Sequence, residues 1–390
     1  MKINFLLIFI SANFFAQTSF KFSGKVISDK NNEPIAFVNI RLLNEPIGTV
    51  TNSEGYFEIN KKDSISNLKI LLSHINYNDT IITIENNYHQ LNKIYKLKER
   101  YVELGEVGVY ANSAYEQIIE SNNKLKINSP EKELYLKAFY KEIIIKDNIA
   151  SRYSEAFFNI YLPTLYKKIN SEVDKNRKIE LLANRTFFNI KDTLVDVRQS
   201  PYKILNNVFI NVIPIDSSIY EYKYVNNYKD FFTIDIIPKP NKAITYSYEC
   251  IINKETLSFT KIKIYISDFT FNKFIKDFTI KNPKGTISVY SKLYNEIFFI
   301  SLNNITYVAS VHNYVKEKFI NNSINYSANI ERNSYLLITE QYRSKIKLKN
   351  ILHPDDYLHK VKPNNDAFWD SQNKVVESMN DSILRKQLEN

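Results

Sequence analysis

A chain of 390 residues exceeds the usual span of one domain, and 44% hydrophobic with 14% aromatic content excludes wholesale disorder. The formal net charge is +10, but lysine and glutamate alternate, as in SPEKELYLKAFYKE from Ser129, without a block of like charge. That pattern describes a solvated surface and excludes a nucleic-acid-binding stripe.

At the start, Met1 and Lys2 precede the apolar INFLLIFI and then SANFFAQ, with a processing site after Ala16, so residues 1–16 read as a signal peptide. The apolar run is too short to span a bilayer, and no later stretch reaches the length of a membrane helix. No cysteine follows the leader to carry a lipid. The single cysteine, Cys250, rules out an intramolecular disulfide. In the strand-like YSYECIIN it reads as a small buried hydrophobe.

Residues 17–102 form the first predicted domain. Five of the six glycines lie between Gly24 and Gly108. Short alternating runs (FKFSGKVIS, IAFVNIRLL, GYFEIN, LKILLSHI, TIITIE, NKIYKLK) are separated by turn signals, the pattern of a small β-sandwich. Val38, Ile40 and Leu42 share one face, with Asn39 and Arg41 opposite. In TNSEG, Asn52 is placed to accept from backbone N–H groups two and three residues on, and Gly55 to take positive φ. A calcium loop needs several carboxylates; only Glu54 is charged, so the segment reads as a structural turn. His74, in LLSHINY, belongs to the sandwich core or its edge.

GKVISDKNNEPIAFVNIRLLNEPIGTVTNSEGYFEI, followed by LLSHINYNDTIITI, resembles the carboxypeptidase-regulatory-like domain of exported Bacteroidota proteins. Gly24, Val26, Pro34, Ile35, Val38, Ile40, Gly48, Thr51, Gly55 and Phe57 fall on its motifs. Asn52 and Asn76 replace the usual Asp and Gly. The resemblance implies a seven-stranded, transthyretin-like sandwich and a location at the periplasm or outer membrane. It brings no zinc peptidase, since the chain lacks H-x-x-E and H-E-x-x-H.

Residues 103–127 read as a linker and helix. YVELGEVGVYA is similar to the segment after this module in TonB-dependent receptors, but the remaining length is too short for their barrel. NSAYEQIIESNNKLKI predicts a helix capped by Asn112 or Ser113, with Tyr115, Ile118, Ile119 and Leu125 at helical spacing. Residues 128–350 predict a large, curved antiparallel β domain. Their opening, LYLKAFYKEIIIKDNIASRYSEAFFNIYLPTLYK, resembles a region fused behind the regulatory-like domain in envelope proteins. INKETLSF reads as a strand, a polar turn and a returning strand. Residues 351–390 predict a helical tail through Val375, Val376, Met379, Ile383 and Leu384, capped by Asp366 or Asn365, with Trp369 docking it on the sheet. The fold class is therefore mainly β.

Candidate sites are few. His353, Asp355, Asp356 and His359 are the best metal-like cluster, although His353-Pro354-Asp355 also reads as a turn. Glu142 and Glu155 could face each other across a hairpin for acid–base work, or form exposed ion pairs with Lys141, Lys146 and Arg152. There is no G-x-S-x-G, phosphate loop or Cys/His pair, so no catalytic residue and no cofactor is assigned. The expected function is non-enzymatic binding or scaffolding in the cell envelope, with an envelope protein, surface glycan or lipid as partner. The alternatives are a carrier of a lipophilic ligand in the curved sheet and a metal-dependent hydrolase using the His353 region.

Overall fold

A computed structural model describes residues 20–43, 45, 47–61, 68–74, 76–84, 90–99, 113–128, 133–163, 177–189, 213, 215–227, 230–240, 246–266, 279–281, 286–302, 305–342, 344–349, 351–352 and 366–389. The leader and the His353–His359 cluster lie outside these residues.

Seven strands build the N-terminal sandwich: β1 (Phe20–Ser28), β2 (Asn39–Leu42), β3 (Gly48–Val50), β4 (Tyr56–Lys61), β5 (Leu68–His74), β6 (Tyr77–Ile84) and β7 (Gln90–Leu97). They form two sheets, ordered β4-β1-β7 and β3-β2-β5-β6. Alternation sends Phe22, Val26, Ile40, Leu42, Phe57, Ile59, Ile70 and Leu72 into a shared core. Gly24 is required by close packing, because a Cβ there would stand 2.3 Å from the Lys93 carbonyl of β7.

After helix α1 (Ala114–Asn128) come β8 (Leu134–Lys146), β9 (Ile149–Leu162), β10 (Lys178–Phe188), β11 (Tyr220–Asn227), β12 (Phe231–Pro238), β13 (Ser247–Asn253), β14 (Phe259–Tyr265), β15 (Thr279–Lys281), β16 (Thr286–Leu302), β17 (Ile305–Asn321) and β18 (Tyr326–Gln341). These are one 11-stranded antiparallel sheet, ordered β10-β9-β8-β18-β17-β16-β14-β13-β12-β11, with β15 beside β16. The chain thus starts mid-sheet, runs outward through β9 to the β10 edge, then resumes at the opposite edge with β11 and returns inward until β18 pairs with β8. Ser113 caps α1: its hydroxyl accepts from Glu116 N, while the Glu116 carboxylate accepts from Ser113 N at 2.8 Å, a reciprocal capping box.

The sheet buries both faces. On one, Leu136, Ala138, Tyr140, Phe158, Ile234, Cys250 and Ile262 pack with Ala114, Ile118 and Leu125 of α1. On the other, Phe139, Phe157, Ala183 and Leu337 meet Val50 of the sandwich with Trp369 and Val375 of the tail. Burial pushes the Cys250 thiol pKa well up, as befits a hydrophobe. Double burial explains why β8 and β9 read as nearly continuous apolar runs. It also corrects the expectation of a solvated surface there: Lys141 and Glu142 are buried. No helix among the described residues is long and apolar enough to cross a membrane.

The tail departs from the expected single helix. It forms α2 (Asp366–Asp370), an extended stretch, and α3 (Met379–Glu389). Trp369 docks against Phe157 at a ring distance of 5.2 Å. The extended stretch is held by the sandwich: Thr49 donates to the Lys374 carbonyl at 3.0 Å, and Asn60 and Asn373 exchange two hydrogen bonds. Val375 is therefore fixed by these long-range hydrogen bonds of its neighbours and by the core, and helical spacing there is coincidental. Ser378 and Asp381 then cap α3.

One cation joins the two modules. Arg41, on the outer face of β2, donates from Nη1 to the Ile338 carbonyl at 2.9 Å and from Nη2 to the Ala309 carbonyl at 3.1 Å. Both acceptors lie at β-bulges. The register steps from Phe298↔Ser310 to Phe299↔Val308, leaving Ala309 unopposed, and from Ile338↔Ala138 to Glu340↔Lys137, skipping Thr339. A bulge interrupts the ladder and leaves backbone groups to be satisfied from elsewhere. Gly48, opposite Arg41 in β3, makes room, since a Cβ there would stand 2.2 Å from Arg41 Cδ. Replacing Arg41 by Met should cost about 2–3 kcal/mol, the scale of two charge-assisted hydrogen bonds. Gly48→Val should loosen the same joint by displacing the guanidinium. Chemical denaturation with limited proteolysis checks this; unchanged midpoints and cleavage in both variants would refute the joint.

Candidate functional site

The side of the sheet that receives the sandwich carries a row of polar residues in register. Lys223 pairs with Asp235, Asp235 with Glu249, Glu249 with Lys263, and Lys263 with Glu296. The row continues through His312, Tyr335, Lys141, Glu155 and Arg185. Each strand of the main path from β11 to β10 contributes one member. Cross-strand neighbours of this kind lie close enough to interact.

At the centre, Glu296 lies 2.9 Å from Lys261 Nζ and 3.5 Å from His312 Nδ1. Burial works to raise the Glu296 pKa, but the hydrogen bonds and charges of His312 and Lys261 outweigh it and hold it down at about 2. His312 Nε2 lies 2.8 Å from Asn333 Oδ1. Its ring is stacked on Tyr335 at 4.2 Å, and Phe37 of the sandwich lies 5.5 Å away on a near-parallel plane. Phe37 has φ of 61°, a left-handed conformation that costs a residue of this size of order 1–3 kcal/mol. The stacking on His312 and Tyr335 holds it there.

Glu142 and Glu155 do not face each other. Register sets Glu142 opposite Ser154 and Glu155 opposite Lys141, so the two carboxylates project from opposite faces. Nor are they exposed ion pairs, since both are buried. Glu142 accepts from Tyr140 Oη at 3.0 Å and Arg152 Nη2 at 2.5 Å; Glu155 accepts from Tyr153 Oη at 2.8 Å and Arg185 Nε at 2.5 Å. The same Tyr-x-Glu spacing thus serves each face. Burial, then the adjacent carboxylate, raises the pKa of both tyrosines, which keeps them as donors. Lys141 pairs with Asp381 of α3. These are structural networks.

A cleft opens where the outer face of β2 and β5 meets the β12–β14 end of the sheet. It comprises two adjoining cavities of about 210 and 50 Å³ that share Asn39, Ser73, Phe231, Thr260 and Phe299. Arg41, Asp79 and Thr256 are among the further residues lining the larger; Phe37, His74, Lys261 and Phe298 complete the smaller. His74 ends β5 half-buried at this cleft, edge-on to Tyr77 at 5.3 Å. In the TNSEG turn, Asn52 Oδ1 accepts from Glu54 N at 3.0 Å and Tyr56 N at 2.9 Å, two and four residues on, and Gly55 has φ of 81°. Thr51 Oγ1 accepts from Val38 N and donates to the Ile35 carbonyl, tying the turn to β2. Among the described residues no group of three His, Cys, Asp or Glu stands close enough for a metal.

The sandwich strands, the Gly24 approach and the Thr51–Gly55 turn have a counterpart among known families: residues 22–109 match the family model for the CarboxypepD_reg-like domain. The sandwich is a CarboxypepD_reg-like domain. No curated protein matches the chain. Solved structures similar to it include a DUF1329 family protein from Desulfovibrio piger, at 11% identity over 58% of this chain and 91% of that one with a TM-score of 0.24. Another is a LolA superfamily protein from Nitrosomonas europaea, at 9% identity over 61% and 96% with a TM-score of 0.22. Sequence reasoning placed the CarboxypepD_reg-like domain but missed Arg41, Phe37, Glu296 and His312. The one available signal was Arg41 itself, a lone cation within the alternation of VNIRLL.

At the outer part of the row, burial and the facing Glu249 raise the Asp235 carboxyl pKa to about 6, against the pull of Lys263. Below pH about 4 the group is protonated folded or unfolded and has no effect. As pH rises from about 4 to 6 the unfolded chain ionises the group while the folded state still holds its proton, so stability falls across that window and levels off above it. Asp235→Asn should therefore stabilise the protein by about 1 kcal/mol at pH 8, allowing for its partial exposure, and by nothing at pH 3.5. Urea midpoints at the two pH values measure this; an equal effect at both would contradict the assignment.

Proposed function

We propose that this protein is a non-enzymatic binding or scaffolding component of the cell envelope, exported by residues 1–16, with a recognition surface composed of two modules. The observation that carries this reading is the cleft whose walls come from both the CarboxypepD_reg-like domain and the large sheet. Sites at the junction of two modules are a common location for ligand recognition. The joint made by Arg41, Phe37 and the tail fixes the two walls relative to each other. The carboxylates best placed by sequence for acid–base work are instead occupied by tyrosine and arginine donors within the fold, which favours binding over catalysis. Domain limits at 17–102, 103–127, 128–350 and 351–390 belong to this proposal.

The α1 face of the sheet is filled by packed side chains from the sheet and the helix, so the described residues favour the cleft over a lipid-filled sheet. Expression with the leader intact, fractionation, and mass measurement of the mature N-terminus test the reading. The expected product begins at residue 17 and fractionates with the periplasm or outer membrane. An unprocessed chain in the cytosol would overturn it.

A further inference from the structure

The cleft holds two polar groups that the fold leaves incomplete, and they are of opposite kinds. Arg41 is 5% exposed and carries five N–H donors. Two meet the carbonyls of Ile338 and Ala309, and Nε is buried without a hydrogen-bond partner. Among the described residues no carboxylate is paired with it, and burial lowers its pKa to about 10, so it remains cationic at neutral pH. Two carbonyl dipoles do not match a full charge, and a buried charge without a counter-ion is costly. Beside it, Asn39 Oδ1 is a buried acceptor without a donor. The cleft therefore presents a cation that wants an anion and an acceptor that wants a hydroxyl or amine.

The other walls agree with that pairing. Ser73, Thr256 and Thr260 supply hydroxyls, and Phe231 and Phe299 supply flat apolar surface. Asp79 accepts from Ser73 Oγ at 2.7 Å, and its charge limits the ligand to one negative group. The larger cavity offers the liquid volume of about seven waters, enough for a compact organic molecule. On the reading that this cleft is the recognition surface, we propose that it binds a small hydroxylated carboxylate, either a sugar acid or a hydroxy acid. Its carboxylate would lie against Arg41 and its hydroxyls against Asn39, Ser73 and Thr260. A simple carboxylate such as acetate has no donor for Asn39, and a neutral sugar has no charge for Arg41.

Isothermal titration of the full chain with glucuronate, glycerate, glucose and acetate tests this. Glucuronate or glycerate should bind at least tenfold more tightly than both glucose and acetate, and the tighter of the two identifies the sugar-acid or hydroxy-acid source. Because Arg41 also joins the modules, the decisive variants are Asn39→Leu and Thr260→Val, which leave its two carbonyl contacts in place. Each should weaken binding at least tenfold, while the urea midpoint of the free protein stays within error of wild type for Asn39→Leu and falls for Thr260→Val only by the loss of its hydrogen bond to the Ile251 carbonyl. Hydroxy-carboxylates binding no better than glucose, or full affinity in both variants, would overturn the proposal. A processed, envelope-located chain that binds neither acid defeats this inference alone, whereas an unprocessed cytosolic chain that binds one defeats the envelope reading alone.

Discussion

The pair of hydrogen bonds from Arg41 to two bulge carbonyls is the contact on which the arrangement of the molecule turns. It links residues separated by 268 and 297 positions in sequence, so it can form only when β17 and β18 already carry their bulges. Sandwich modules tethered by linkers commonly keep their orientation free. Here the module is held by a buried cation, a strained aromatic and a strand of tail crossing it. The Phe37 backbone opposes the joint, while its ring on His312 and Tyr335 favours it. Left-handed Phe37 is held both by this stacking and, within the sandwich, by its N–H donating to the Thr51 carbonyl at 3.1 Å.

The polar row has a different origin. Strand register is set where an alternating apolar set must be buried, because a slip of one residue would turn that set to the wrong face. Against α1, the chain of Ile234, Cys250, Ile262, Ile297, Val311, Leu336 and Tyr140 runs strand by strand through cross-strand pairs. Once these pairs are made, the residue following or preceding each is aligned on the other face with no further freedom. The Lys223–Arg185 row is the reverse side of the apolar register. Its energetics then differ along its length. Beneath the sandwich and tail, Lys141 and Glu155 have dedicated partners. At the open end, Asp235 and Glu249 face each other, with Lys263 acting on Asp235 and Lys261 3.6 Å from Glu249, and the Asp235 pKa rises because of burial and the facing carboxylate.

What could be read from sequence follows the range of the interactions involved. Local periodicity and turn chemistry exposed the sandwich, the Ser113-capped helix and the turn between Asn253 and Phe259. Those features are decided by residues a few positions apart. Helical spacing in the tail misled because Val375 answers to Asn60, Thr49 and the face around Phe157, not to its own neighbours. Lys141 and Glu142 misled for a related reason: interspersed charge normally marks solvent, but β8 is central and covered on both sides. The partners of Arg41 were beyond reach altogether, since backbone carbonyls have no residue type to recognise and bulges depend on pairing. Gly48 was visible as a motif residue, yet its reason, room for the Arg41 stem, exists only in three dimensions.

Arg41 belongs at once to the joint and to the cleft, and this has a thermodynamic consequence. Any anion that lies against its guanidinium binds the docked arrangement and not one in which the sandwich has swung away, because undocking removes one wall of the cleft. Binding and docking are then linked, and a ligand stabilises the joint in proportion to the logarithm of its concentration over its dissociation constant. The coupling is reciprocal: whatever tightens the sandwich on the sheet raises affinity in the cleft. Conversely, the uncompensated charge of Arg41 weakens the joint relative to what two well-made hydrogen bonds could give. A carboxylate ion-paired to Arg41 within the fold would have strengthened docking but closed the site. Leaving the cation to carbonyls keeps the modules together and leaves its charge available to a ligand.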